Sequence, residues 1–442
     1  MEVKEPDVRY LTAVQHTELG EFPADWKVVP LDEFHPFITS GSRGWAAYYA
    51  DIGSTFLRIT NLSRSCIYPS LRDLRYVAVP PDNSEGVRTA LRAGDVLISI
   101  TADIGIVGLV TEAVELPAYI NQHIALVRFD GRDVNSRYIA YFLAGASAQR
   151  RFKSMTDAGA KAGMNLAGVR DVLAALPPCT HEQTAIADAL TDADALIDSL
   201  EQLLTKKRQI KQGAMQELLT GKRRLPGFTG RWAETTLFDL AGRNKDLFDD
   251  GDWIESEHIR NEGIRLIQTG NIGVGRFIEK AEKKYIDDRS FSQLRCKQLQ
   301  IGDLLICRLA DPAGRACVLP NIEEDRVVTS VDVTIFRPPS DTANREFLAQ
   351  VFSRSQWFKA VGELSGGTTH KRIARGALGR MAITLPSPAE QAAIAEVLSD
   401  MDAAIAALES RLTKARALKQ AMAQALLTGR IRMPLSTQEP IA

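Results

Sequence analysis

Residues 181–224 read HEQTAIADALTDADALIDSLEQLLTKKRQIKQGAMQELLTGKRR, and residues 389–432 repeat this stretch as AEQAAIAEVLSDMDAAIAALESRLTKARALKQAMAQALLTGRIR, without a gap and with more than half of the positions identical. In both copies mostly apolar residues recur at alternating spacings of four and three, which is typical of a coiled-coil seam. The pattern predicts two helices of about 40 residues, each roughly 60 Å long. The seam residues are Ile186, Leu190, Ala193, Ile197, Leu200, Leu204, Lys207, Lys211, Ala214 and Leu218, and then Ile394, Leu398, Met401, Ile405, Leu408, Leu412, Ala415, Lys419, Met422 and Leu426.

Both predicted helices carry start and stop signals. A Ser or Thr followed three residues later by Glu or Gln is typical of a capping box, and a glycine after the last apolar turn is typical of a helix end. The start residues are Thr180 and Gln183 in the first copy and Ser387, Pro388 and Glu390 in the second, and the stop residues are Gly221 and Gly429.

Charge is divided along both copies in the same sense. Residues 181–201 contain six acidic residues and no Lys or Arg, whereas residues 205–224 are strongly basic, and the second copy follows the same order. A parallel pair would place acid beside acid, but an antiparallel pair places each acidic half beside a basic half. We therefore predict an antiparallel coiled coil within one chain. Two unrelated surface helices are the alternative, which the identity between the copies disfavours.

The composition restricts the classes of protein to which the chain can belong. The chain has 442 residues, 45% of them hydrophobic and 25% charged, with a formal net charge of −1. These values indicate a globular protein of at least two domains that does not hold nucleic acid through bulk positive charge. The five cysteines include no CxxC pair, which disfavours a disulfide framework or a zinc ribbon. Because no apolar run approaches about 18 residues and the start MEVKEPDVRY lacks a signal-peptide pattern, we expect a cytoplasmic protein that binds no membrane.

Two non-helical blocks precede the helices and resemble each other weakly. FLRITNL at residues 56–62 corresponds to LIQTGNI at residues 266–272, and both blocks consist of short apolar or alternating runs broken by Gly, Pro, Asn and Asp, which indicate strands and loops. The predicted class is α+β, a tandem repeat with pseudo-twofold symmetry. Its predicted parts are a first β-rich domain at 1–178, a first helix at 179–225, a second β-rich domain at 226–386, a second helix at 387–432 and a tail at 433–442.

This order of two divergent globules, each followed by a copied helix that begins with Glu-Gln and ends in LLTG, resembles the specificity subunit of type I restriction-modification systems, as does the lead-in TELGEFPADW at residues 17–26. The resemblance covers essentially the whole chain. It implies that each globule is a target recognition domain that reads one half of a bipartite double-stranded DNA target. It also implies that the helices set the spacing and dock two methylation subunits, through which restriction subunits join, in a bacterial or archaeal cell.

The resemblance further implies that this chain has no catalysis and no cofactor of its own, because methylation of adenine with S-adenosylmethionine belongs to the methylation subunit. The residues agree with this, since the chain has neither a glycine-rich cofactor turn nor an N-P-P-Y/F loop, and LTGKRR at residues 219–224 lacks the upstream glycine of a P-loop. A free-standing DNA-modifying enzyme is thereby disfavoured. A pseudo-dimeric scaffold that binds only protein is the other alternative, but it would not need polar loops that differ between the globules.

Candidate DNA-reading residues lie in polar, glycine-rich loops of both globules. Arg can form two hydrogen bonds to guanine, Asn or Gln can form two to adenine, hydroxyl groups can bond phosphate, and aromatic rings can stack on bases. Each of these residues taken singly is also compatible with an ordinary surface turn. The candidates are Ser42, Arg43, Trp45, Tyr48, Tyr49, Arg58, Asn61, Lys161 and Asn165 in the first globule, and Gln268, Asn271, Thr368, Thr369, His370, Lys371 and Arg372 in the second.

Overall fold

The computed structural model describes residues 9–10, 13–80, 82–157, 163–309, 312–367 and 371–433. Contacts group them into two compact units. Unit 1 contains the described residues up to Glu201 and from Ser410 onward, and unit 2 contains those of Gln202–Glu409. Each unit thus combines one β-rich globule with one half of each long helix, and each is described on its own.

The first part of the chain is built from short strands with short helices between them. Three 3-10 turns, Leu31–Phe34, Arg43–Tyr48 and Ile59–Asn61, connect some of the strands. The strands are β1 (Arg9–Tyr10), β2 (Val14–Thr17), β3 (Gly20–Pro23), β4 (Lys27–Pro30), β5 (Phe37–Ser40), β6 (Tyr49–Ala50), β7 (Ser54–Leu57), β8 (Arg75–Val77), β9 (Val96–Ser99), β10 (Val107–Leu109), β11 (Ala118–Ile120), β12 (Ile124–Arg128) and β13 (Leu173–Leu176). The helices are α1 (Ser84–Thr89), α2 (Ser136–Ala144), α3 (Ala146–Asp157), α4 (Leu166–Arg170) and the long α5 (Thr180–Leu218).

Two four-stranded sheets form the globule of unit 1. One has the antiparallel order β10-β9-β12-β5, and the other has the order β11-β7-β8-β6, in which β11 and β7 are parallel. Strand β9 reads VLIS and is buried throughout. Val96 and Ile98 pack in one core with the aromatic residues of α2, whereas Leu97 packs in a second core with residues of the other sheet. A strand covered on both faces needs apolar residues at successive positions, and β9 has them.

Unit 2 repeats this construction with its own elements. Its 3-10 turns are Lys245–Leu247, Ser256–His258 and Thr269–Asn271. Its strands are β14 (Ala233–Thr236), β15 (Phe248–Asp250), β16 (Ile259–Arg260), β17 (Ile264–Ile267), β18 (Lys284–Ile286), β19 (Leu304–Cys307), β20 (Ala316–Val318), β21 (Val327–Thr329), β22 (Val333–Phe336) and β23 (Ala382–Leu385), and its helices are α6 (Leu237–Leu240), α7 (Asp288–Leu294), α8 (Arg345–Val351), α9 (Ser355–Glu363) and α10 (Arg375–Gly379). The long α11 (Pro388–Leu426) and the short β24 (Ile431–Arg432) complete the chain, and β24 pairs with β1 in unit 1.

The sheets of the two globules have the same topology. In unit 2 the orders are β20-β19-β22-β15 and β21-β17-β18-β16, with β21 and β17 parallel. A buried ion pair also recurs: Arg128 Nη2 lies 2.7 Å from Asp95 in unit 1, and Arg337 Nη2 lies 2.7 Å from Asp303 in unit 2. The prediction of an α+β tandem repeat is therefore confirmed.

The halves of α5 and α11 pack in antiparallel order within each unit, as predicted. Every predicted seam residue except Lys207 is buried or half-buried. Ion pairs at equivalent positions connect the acidic part of one helix to the basic part of the other. In unit 1 these are Arg416–Glu201 at 2.7 Å and Lys419–Asp194, and in unit 2 they are Arg208–Glu409 at 2.6 Å and Lys211–Asp402 at 2.6 Å.

The helix ends agree with the predicted stop signals, but the predicted capping boxes are incomplete. Gly221 and Gly429 follow the last turns with φ of +69° and +67°, a conformation that favours glycine. Ser387 Oγ accepts from the N–H of Glu390 at 3.5 Å, which is the first half of the predicted box. The carboxylate of Glu390, however, does not reach back to the start of its own helix, because it accepts a hydrogen bond of 2.6 Å from Arg224 Nη2. Gln183 Oε1 accepts from the backbone N–H of Asn135 at 2.9 Å instead of capping α5.

The Glu-Gln pair at the start of each long helix has the same two partners in both repeats. Glu182 receives two hydrogen bonds from Arg432 in unit 1, and Glu390 receives two from Arg224 in unit 2. Gln183 and Gln391 each accept one hydrogen bond of 2.9 Å from a backbone N–H of the globule. The donors are Asn135, which caps α2, and Asn344, which caps α8. The glutamate therefore connects the start of one long helix to the segment that follows the end of the other, and the glutamine connects a long helix to its globule.

Candidate nucleic-acid interface

A short turn after the central strand of the second sheet occupies equivalent places in the two globules. In unit 1 it follows β7 and runs from Arg58 to Asn61, and in unit 2 it follows β17 and runs from Gln268 to Asn271. The Asn61 side chain accepts from the N–H of Arg58 at 3.0 Å, and the Asn271 side chain accepts from the N–H of Gln268 at 3.0 Å. Residues 58 and 268 therefore have the same backbone hydrogen bond in equivalent turns.

Asn61 and Asn271 have a structural function, contrary to the prediction that they contact DNA. Each side chain is only 3% exposed. The amide nitrogen of Asn61 donates to the Ser70 carbonyl at 3.0 Å, and that of Asn271 donates to the Ile278 carbonyl at 2.9 Å. Because both ends of each amide are already bonded inside the globule, neither is available to a base.

A polar groove in unit 1 brings Arg58 together with residues of neighbouring strands. The groove has a volume of about 470 Å³. Arg58 Nη2 donates to the Asp73 carbonyl at 3.0 Å, which fixes the guanidinium plane at the wall of the groove. Tyr49 is 54% exposed there. The two arginines and two tyrosines of the groove supply hydrogen-bond donors of the kind that contact DNA phosphates. The lining residues are Tyr49, Ala50, Asp51, Arg58, Arg75 and Tyr76.

Arg75 and Tyr76 were not predicted from the sequence. They lie on β8, whose register places Arg75 opposite Phe56 and Tyr76 opposite Ala50. Strand β18 of unit 2 carries Lys284 and Tyr285 at the equivalent positions, with Lys284 opposite Leu266. The recurrence of a basic residue followed by tyrosine was the sequence signal that could have identified them.

The remaining candidates in the loop at residues 39–53 divide between the surface and the core. Arg43 is exposed, and the Ser42 hydroxyl accepts from the N–H of Gly44 at 3.2 Å at the start of a 3-10 turn. Tyr48 is half-buried, and its hydroxyl accepts from Asn83 at 3.1 Å. Trp45 is only 3% exposed and packs against Phe56 and Tyr119. The prediction that Trp45 stacks on a base is therefore wrong for this conformation, because its ring forms part of the core.

The glycine-rich loops before the last strand of each globule are described only in part. Lys161 in the first globule, and Thr368, Thr369 and His370 in the second, lie outside the described residues. Asn165 is exposed and caps α4, since its side chain accepts from the N–H of Gly168 at 2.7 Å.

Lys371 and Arg372 of the second globule are exposed. Arg372 is anchored through its backbone, which exchanges hydrogen bonds of 2.9 and 3.0 Å with Gly366. Its guanidinium lies 2.9 Å from Asp332. The exposed Lys371 therefore precedes an anchored, ion-paired arginine.

A network of opposite charges fills the place in unit 2 that corresponds to the polar loop at residues 39–53. Arg308 lies 2.9 Å from Asp250, and Lys297 lies 3.2 Å from Asp249. Burial raises the pKa of Asp250, an effect that the charge of Arg308 opposes, and burial lowers the pKa of Arg308. Asp249 and Asp250 are thus paired with basic groups within the globule.

The described part of the chain contains neither a cluster of metal-binding side chains nor a membrane-spanning helix. There, no three His, Cys, Asp or Glu side chains lie close enough together to hold a metal ion, and no helix is long and apolar enough to cross a membrane. The five cysteines, all within the described ranges, are free thiols, of which Cys296, Cys307 and Cys317 are buried.

Relatives of the chain were found by sequence. It is 24% identical over 433 residues to a protein of Methanocaldococcus jannaschii described as putative type I restriction enzyme MjaX specificity subunit, an alignment that covers 94% of this chain and 96% of that protein. It is also 24% identical over 273 residues to the type I restriction enzyme MjaVIII specificity subunit of the same organism, covering 58% of this chain. The chain spans 62% of the length of this second relative.

A solved structure and a family model extend this comparison. The crystal structure of a type I restriction-modification system S subunit from M. genitalium aligns with 91% of this chain and 96% of that chain, with a TM-score of 0.57 and 13% identity, a likeness of fold. The family model described as type I restriction modification DNA specificity domain matches residues 87–212 and 242–415, more than half of the chain and parts of both repeats. The chain therefore belongs to the type I restriction-modification DNA specificity family.

Proposed function

We propose that this chain is the DNA-specificity subunit of a type I restriction-modification complex and that each globule reads one half of a bipartite double-stranded target. The observation that carries this proposal is one β framework that occurs twice with different polar side chains at equivalent surface positions. Arg58 in unit 1 corresponds to Gln268 in unit 2. His123, which precedes β12 and accepts from the N–H of Ile100 at 2.9 Å, corresponds to Asp332, which precedes β22 and accepts from the N–H of Arg308 at 2.8 Å. A shared framework with different polar groups suits two readers of two different half-sites.

In the same proposal the long helices set the separation of the half-sites and dock two methylation subunits, through which restriction subunits join. The equivalent ion pairs of the helix halves support this, because two similar surfaces suit two copies of one partner. The chain itself is non-catalytic. S-adenosylmethionine binds to the methylation subunit, which methylates adenine.

The test is co-expression of the full chain with its methylation subunit in a host that lacks adenine methylation, followed by sequencing of the methylated genome. The expected motif has two fixed halves around an unread gap, and native mass spectrometry should find two methylation subunits per chain. A contiguous motif contradicts the bipartite assignment. Methylation by the purified chain alone, with S-adenosylmethionine added, contradicts the non-catalytic assignment.

A further inference from the structure

Positions 58 and 268 present different side chains on the same backbone. Arg58 has φ −115° and ψ 165°, and Gln268 has φ −109° and ψ 168°. In both turns the asparagine N–H also donates to the carbonyl of residue 58 or 268 at 2.8 Å. These bonds use only the backbone of residues 58 and 268. The side chain at this position is therefore exchangeable without loss of the turn.

The surroundings of this position are chemically similar in the two globules. A basic residue and a tyrosine lie on the neighbouring strand in each, Arg75 and Tyr76 on β8 and Lys284 and Tyr285 on β18. Basic side chains and tyrosine hydroxyls contact phosphates without reading the identity of the bases. The two globules differ at the equivalent position, where the first has the guanidinium of Arg58 and the second has the carboxamide of Gln268.

Arg58 differs from the ion-paired arginines of the globules in having a backbone carbonyl, and no carboxylate, among its described contacts. Its Nη2 is oriented by the Asp73 carbonyl, but its buried Nε has no hydrogen-bond acceptor among the described residues. Arg128, by comparison, has a bidentate carboxylate partner, because its Nε and Nη2 both bond Asp95 at 2.7 Å. The guanidinium of Arg58 is thus held in orientation at the wall of the groove without an ion-pair partner among these contacts.

We propose that Arg58 sets a guanine preference in the half-site read by the first globule and that Gln268 sets an adenine preference in the half-site read by the second. Arginine donates two parallel hydrogen bonds to guanine O6 and N7, and glutamine forms two with adenine N6 and N7. This inference rests on the proposed function, in which each globule reads one half of the target.

The test compares the methylated motif of the wild-type chain, co-expressed with its methylation subunit, with the motifs of Arg58→Gln and Gln268→Arg. Each variant should change one position, a guanine in one half for Arg58→Gln and an adenine in the other half for Gln268→Arg. The gap and the remaining positions should stay unchanged. In competition with duplexes altered at that position, the purified complex should lose about 5- to 150-fold of its preference for the original base.

Two matched variants serve as controls. Arg132→Gln makes the same exchange in the first globule at a side chain that is 84% exposed and near Asp130. Gln356→Arg makes the reverse exchange at an exposed position of the second globule. Both should leave the motif unchanged.

The alternative function of Arg58 is a contact to phosphate, and Arg58→Lys separates the two. Lysine keeps the charge but cannot form the planar pair of hydrogen bonds, so a base reader loses its guanine preference. A wild-type motif with uniformly weaker binding would identify a phosphate contact and overturn the inference, as would a wild-type motif with both exchange variants. If thermal unfolding shows that Arg58→Gln does not fold, Arg58→Lys decides alone. A wild-type chain without a bipartite motif refutes the proposed function instead.

Discussion

The substitution Glu182→Gln tests whether burial makes the helix-end ion pair strong. The Glu182 side chain is 2% exposed and accepts from Arg432 Nε at 2.6 Å and Nη2 at 2.7 Å. Removing one partner of a buried pair costs about 3–5 kcal/mol, because the other charge remains without compensation. Arg432 is 22% exposed and also bonds Asp25 at 2.9 and 3.0 Å. We therefore expect the lower end of that range, about 3 kcal/mol.

The matched substitution is Asp25→Asn, which removes the same charge from the outer partner of Arg432. Asp25 is 51% exposed, and pairs of this kind contribute below about 1 kcal/mol. Both free energies of unfolding can be measured on the full chain by urea denaturation followed by circular dichroism. If Asp25→Asn costs as much as Glu182→Gln, burial does not determine the strength of this pair and the reasoning is refuted.

Two further predictions concern the helix ends and the DNA-binding surfaces. Gly221→Ala should cost about 1 kcal/mol because of its positive φ. Gly429→Ala should cost more, because the added methyl group would lie 2.4 Å from the Pro23 side chain, whereas the methyl group added at position 221 would lie no closer than 3.2 Å to Trp232. Equal melting temperatures of the two variants would contradict this. Arg75→Ala with Tyr76→Ala should weaken binding to one half-site by about 1–3 kcal/mol, the cost of losing one arginine contact to a base edge. Lys371→Ala, which leaves Arg372 paired with Asp332, should weaken binding of the other globule and reduce its salt dependence. Wild-type DNA affinity in both would rule out these surfaces.

The long helices and the repeat could be predicted because their signals are local. The alternating four and three spacing identifies the seam, and the division of charge identifies the antiparallel order that the Arg416–Glu201 and Arg208–Glu409 pairs confirm. The correspondence of FLRITNL with LIQTGNI located the same strand and turn in both globules. Periodicity and internal repetition need no knowledge of distant contacts.

The use of individual polar side chains could not be predicted, because it depends on contacts between distant parts of the chain. The amide of Asn61 has the same chemistry whether it bonds a base or its own turn, and only the fold shows that it bonds Ser70. The acidic residues Asp249 and Asp250 are neutralised by Lys297 and Arg308, which follow them by more than 45 residues. The groove that unites Arg58 with Arg75 likewise exists only once the sheet has formed.

The most direct test of a bipartite reader spaced by helices is the methylated motif of a chain with four residues inserted after both Thr205 and Thr413. These points lie between Glu201 and Arg208 and between Glu409 and Arg416, so the ion pairs within each unit are kept. Four residues lengthen each helix by about 6 Å with a small stutter.

Genome sequencing of cells that express this variant with the methylation subunit should show both half-sites unchanged and the gap longer by one or two base pairs, because base pairs are stacked about 3.4 Å apart. An unchanged gap would show that the helices do not set the spacing, and an altered half-site would contradict independent reading by the two globules.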